Sequence, residues 1–111
     1  MAESLLRSSL LKGRQQAPQQ DIPYWIEELA AVAAAKGELL RAATLWGATD
    51  AFFEKFGLAI REENRQVRER FRREPEDPPD AERWKKAWTR GHAMSVEEAV
   101  DLALAEEAVP V

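Results

Sequence analysis

His92 is the one histidine of the chain and the first residue to ask about acid–base work or metal binding. Either role needs partner side chains within reach. The residues around His92 supply none, and it follows Gly91, where a helix is expected to stop. It reads as a surface or capping residue. Adjacent carboxylates at Glu27-Glu28, Glu62-Glu63 and Glu97-Glu98 offer acid and base in principle. Neighbours on a helix point in different directions, so such pairs do not converge on one atom, and solvated faces are the expectation. Cysteine is absent, which removes thiol nucleophiles, thiolate metal sites and disulfides. No glycine-rich phosphate cradle is recognisable. The expectation is a chain with no catalytic residue, no cofactor and no metal.

Binding chemistry has better candidates. Arg61, Arg65, Arg68, Arg70, Arg72 and Arg73 crowd one segment, and Arg61, Arg65, Arg68 and Arg72 are the residues by which it would touch phosphates. Glu62, Glu63, Glu69 and Glu74 interleave and cancel much of the field, so a solvated, salt-bridged face is the simpler reading. The formal net charge of −4 also opposes nucleic acid as the main partner. Lys85-Lys86-Ala87-Trp88 reads as outer lysines around a core tryptophan. Trp46, Trp84 and Trp88 fall on apolar stripes and read as core. A small-molecule sensor with an aromatic pocket among the later helices is the alternative. Trp25 has a weaker claim to the core, and an exposed Tyr24-Trp25 pair would make a protein-contact anchor.

These residues are positioned by helices. The 111 residues suit one domain, with 45% hydrophobic and 32% charged side chains. Alanine is abundant and glycine numbers only 5, which favours helix and gives strands little to use. The fold class expected is all-α, with about five helices in one domain spanning 1–111.

Residues 2–15 read as a first helix with Leu5, Leu6, Leu10 and Leu11 on one side. The glutamine-rich stretch around Pro18 is a loop. Asp21 and Pro23 open the next helix, whose Ile26, Leu29, Ala30 and Ala33 keep helical spacing up to Lys36-Gly37. A third helix runs from Glu38 to Phe56 and closes at Gly57. So short a connection at Gly37 makes the two an antiparallel hairpin over 21–57. Gly47 lies inside the third helix, where it costs about 1 kcal/mol against Ala unless it admits a close neighbour. The region 61–108 supplies capping helices. It holds a charged helix over 61–73 with Val67 and Phe71 as its apolar pair, then a stiff linker from Glu74 to Pro79. A short helix follows, capped by Asp80, carrying Trp84, Ala87 and Trp88 and ending at Gly91. Ser95-Val96-Glu97-Glu98 is a capping box that starts the last helix, with Ala99, Val100, Leu102, Ala103 and Leu104 toward the core. The tail from Glu106 is expected to fray.

The order Ile26, Leu29, Ala30, Ala33, Gly37, Ala42, Trp46 resembles the tetratricopeptide repeat, in which small residues of one helix face large residues of the next. Thr49 stands where the repeat usually has alanine, and the helix continues through Glu54 where it often has proline. The match is to a degenerate, terminal repeat. Residues 22–105 further resemble the C-terminal end of large bacterial LuxR-type regulators, the signal-transduction ATPases with helical repeat arrays. Leu39-Leu40-Arg41-Ala42-Ala43-Thr44-Leu45-Trp46-Gly47-Ala48 carries that resemblance, together with the run from Ala87 to Val100. It implies a non-enzymatic protein-interaction module whose first 15 residues are an orphan repeat helix. Neither an ATPase phosphate loop nor a helix-turn-helix is recognisable in these residues.

Leu5, Leu6, Leu10 and Leu11 would then leave an apolar strip seeking a neighbour, either a second copy of the chain or an upstream domain. No stretch is apolar enough to span a bilayer and the N-terminus is not a convincing signal peptide, so a cytoplasmic location is expected.

Overall fold

The computed structural model describes residues 8, 10–12, 21–71 and 78–105, and all regular structure among them is helical. Residues 8 and 10–12 are helical, and five helices with defined bounds follow. These are α1 (Ile22–Ala35), α2 (Leu39–Lys55), α3 (Glu62–Phe71), α4 (Pro78–His92) and α5 (Val96–Leu104). The all-α expectation holds. The Gln15–Gln20 loop, the 74–77 part of the acidic linker and the tail from Glu106 lie outside the described residues. Among the described residues no helix is long and apolar enough to cross a membrane.

Local signals account for most helix ends. Pro23 sits in the first turn of α1, where its missing N–H is no loss. Asp21 is the N-cap residue, though its side chain makes no capping hydrogen bond. Gly37 and Gly57 adopt positive φ, 84° and 66°, which a side chain would resist. Each closes its helix with a pair of reversed hydrogen bonds. Glu38 N donates to Ala33 O and Gly37 N to Ala34 O; Leu58 N donates to Phe53 O and Gly57 N to Glu54 O. Ser95 and Glu98 exchange the two bonds of a capping box, both at 3.1 Å.

Two boundaries differ from expectation. Pro78 and Pro79 are not the end of a linker but the start of α4, since only the first turn of a helix accepts proline without losing a bond. Asp80 therefore lies inside α4 instead of capping it. Nor does Gly91 stop α4, which continues to His92. Its role is a helix crossing.

α2 is the central helix, buried on every side from Ala42 to Thr49. α1 covers one flank as the antiparallel arm of the hairpin. Thr49 on α2 hydrogen-bonds Glu27 on α1 across that seam. Ala30 and Ala42 are both fully buried in the shared core with Ile26, Leu29, Leu45 and Trp46. α4 covers the other flank and packs against α2 more extensively than α1 does. The backbones nearly touch there. A Cβ placed on Gly47 would lie 2.1 Å from the Trp88 carbonyl oxygen, and one on Gly91 would lie 1.7 Å from the Thr44 carbonyl oxygen. Gly47 does admit a close neighbour, and that neighbour is α4. α5 closes the core with Ala99, Val100 and Ala103, while Leu102 and Leu104 pack half-buried at its edge. The Cα radius of gyration, 13.2 Å, is the roughly 13 Å typical of a compact body this long.

Candidate functional site

Four helices converge on one buried charge. Arg68 of α3 donates from Nε to Glu27 Oε2 at 2.7 Å and from Nη2 to Glu27 Oε1 at 2.5 Å. Its Nη1 reaches Asp50 Oδ1 at 2.5 Å, and Nη2 also donates to Thr49 Oγ1 at 2.9 Å. Trp88 Nε1 of α4 donates to the second Asp50 oxygen at 3.2 Å. The side chains of Arg68 and Glu27 are only 7% and 2% exposed. Burial acts most strongly on the guanidinium and favours its neutral form. The hydrogen bonds and charges of Glu27 and Asp50 together outweigh burial and hold Arg68 more firmly protonated than usual.

The planar fork of an arginine suits this post, because it engages two carboxylates at once. Ions taken out of water cost several kcal/mol each unless paired and hydrogen-bonded, and here each is. The donors and acceptors point at one another, so the chemistry the cluster supports is that of a clasp joining α1, α2, α3 and α4.

Glu27 is thus a correction to the solvated carboxylate pairs: it faces inward and Glu28 is half-buried. Arg68 is a second correction. Read as part of a solvated or phosphate-facing row, it is instead turned into the protein, where no phosphate reaches it. Arg65 is exposed and lies 3.7 Å from Glu62 one turn before it. Arg61 is exposed and stands over the Tyr24 ring, 4.2 Å from its centre. Arg72 lies outside the described residues. The arginines at 61, 65 and 68 therefore do not share one open face.

The proposed contact residues also separate. Leu10 is fully buried in the core while Leu11 is 57% exposed; Leu5 and Leu6 lie outside the described residues. Tyr24 and Trp25 are not an exposed pair. Tyr24 donates its hydroxyl to the Ala59 carbonyl at 2.9 Å and rests on Phe53, ring centres 5.2 Å apart. Trp25 packs half-buried against the core. Among the later aromatics, Trp46 and Trp84 are buried, and Trp88 stacks on the exposed His92 with ring centres 4.8 Å apart. These rings serve packing and the clasp.

A second arginine holds α5. Arg41 Nη2 donates to the carbonyls of Leu102, Ala103 and Ala105 at 2.9, 3.4 and 2.6 Å. Those oxygens lie in the last turn and C-cap of α5, where helical acceptors run short of partners and a cation meets the negative end of the helix.

The clasp was missed from sequence, although a signal existed. Glu27 sits three residues before Ala30 on the apolar side of its helix, and Arg68 sits beside Val67 on the apolar side of its own. Opposite charges set on two apolar stripes are candidates for each other.

The chain matches no family model, no curated protein and no solved structure.

Proposed function

We propose that the chain is a non-enzymatic, tetratricopeptide-like module for protein–protein contact, the C-terminal part or a relative of a bacterial transcriptional regulator acting in the cytoplasm. Leu11 carries the reading. It is 57% exposed, one residue away from a leucine buried in the core. A large apolar side chain left in water on an anchored helix gains by meeting a second apolar surface, worth about 1.5–3 kcal/mol if fully covered. The hairpin of α1 and α2, with small Ala30 and Ala42 in its buried core, is the kind of scaffold that presents such a surface rigidly. The partner is a second copy of the chain through the N-terminal helix, or an upstream domain of the same regulator.

Light scattering on the purified chain tests this. A dimer that dissociates on dilution, and that Leu11→Glu converts to monomer, supports the reading. A clean monomer at high micromolar concentration rejects self-association through this helix.

A further inference from the structure

We propose that an open groove between the start of α2, the C-terminal half of α4 and the end of α5 docks an acidic amphipathic peptide segment of a partner protein. The groove has a volume of about 370 Å³, the low end of the range for ligand pockets and room for one or two apolar side chains. Leu40, Ala87 and Leu102 give it apolar walls, and Arg41 and Arg90 give it positive charge, with Glu38 and Thr44 as further polar lining.

Two observations select the occupant. Leu40 is 46% exposed and lines this groove together with the half-buried Leu102. An exposed leucine that lines a concavity with a second leucine offers a seat for an apolar side chain. The second observation is charge. The chain carries a net −4, yet Arg41 and Arg90 both line this groove. Glu38 offsets one of these. Over about 8 Å, the screening distance at physiological salt, a ligand feels the local groups more than the distant net charge. A leucine-like side chain enters between Leu40 and Leu102, and a carboxylate flanking it meets Arg90. An amphipathic acidic helix has this pattern, an apolar anchor every turn and carboxylates beside it.

The site goes beyond the contact surface at Leu11 and is tested separately. The probe is a fluorescein-labelled amphipathic peptide made only of Leu, Ala and Glu, read by fluorescence anisotropy against the full chain. The control replaces every Glu of the peptide by Lys. The acidic probe binds, weakens as salt rises, and loses at least about tenfold in affinity with Leu40→Glu or Arg90→Glu, as a central anchor does. Both residues are exposed, and circular dichroism of the variants checks that the helices persist. Leu11→Glu leaves probe affinity unchanged, so failure here is distinct from failure of the dimer. The proposal is overturned if the lysine peptide binds equally well, or if L40E and R90E leave affinity unchanged. Binding that emerges only after removal of residues 106–111 also overturns it, because the groove then belongs to the chain's own end.

Discussion

Arg68 and Glu27, 41 residues apart in the chain, meet through two nitrogens and two oxygens inside the protein. α3 is a short, strongly charged helix with little apolar surface of its own, and Arg68 is its one fully buried side chain among those described. Its attachment rests on this ion pair more than on hydrophobic area.

Removing one partner strands the other. Arg68→Ala leaves Glu27 buried without its counter-ion and takes from Asp50 its shortest contact, so we expect a loss of about 3–5 kcal/mol in urea unfolding. Replacing the pair by apolar residues of similar size, Glu27→Leu with Arg68→Met, recovers most of that loss, because the desolvation of both ions disappears together. A single variant that loses less than about 1 kcal/mol, the size of an exposed pair, shows that the cluster is solvated and not a clasp.

The crossing of α2 and α4 makes a sharper demand. Gly47→Ala and Gly91→Ala each place a methyl against main-chain oxygen of the facing helix, and main chain cannot turn aside as a side chain does. Helix propensity alone favours both changes by about 1 kcal/mol. Overpacking opposes them by about 1–3 kcal/mol or more, and contacts this close fall at the upper end. Both variants are expected to melt lower than the parent, Gly91→Ala the more so. A higher melting temperature for either would place the two helices farther apart.

What the sequence showed and hid follows from the range of each signal. Gly37, Gly57, Pro23 and the Ser95–Glu98 box act within a turn of their own position, and the structure places each helix end where they predict. Gly91 looked like the same kind of stop. It is a contact residue instead, and nothing local distinguishes a glycine that ends a helix from one that lets another helix approach. Pro78 and Pro79 were legible as a barrier but not as the side of the barrier on which the helix lies. The clasp needed α1 and α3 to be brought together, and their pairing is a property of the fold. Each member looked like an ordinary surface charge alone.

The capping box carries a pH dependence. Hydrogen bonds from the Ser95 backbone and side chain hold the Glu98 carboxyl below its ordinary pKa. A depressed carboxylate adds stability above its unfolded pKa, and that stability disappears as pH falls through the lower folded value. α5 should therefore loosen in mild acid, below the usual glutamate range, and not in alkali. Ser95→Ala removes the side-chain cap at about 1 kcal/mol but keeps the backbone bond to Glu98. Glu98→Gln removes the titrating group and flattens this acid limb. Amide exchange of α5, followed from neutral pH through the ordinary glutamate region at about 4.3 and well below it, reads both effects. An acid limb unchanged in Glu98→Gln would remove Glu98 as its source.

Arg41 should decide whether the end of α5 stays docked. Its guanidinium supplies donors to the carbonyls of Leu102, Ala103 and Ala105 at the helix end, where Leu102 O has only a 3.3 Å backbone bond from Ala105 N. Hydrogen bonds to a charged group contribute about 1.5–3 kcal/mol. Arg41→Met keeps the aliphatic stem against α5 and removes the donors, so the loss should fall in that range. It should be confined to α5, seen as faster amide exchange there while α1 and α2 keep their protection. Arg41→Lys keeps the charge at the negative end of the helix but lacks the planar fork, and should restore only part of the protection. Full recovery by lysine would mean that charge alone holds the helix end, and that the three carbonyl contacts are incidental to it.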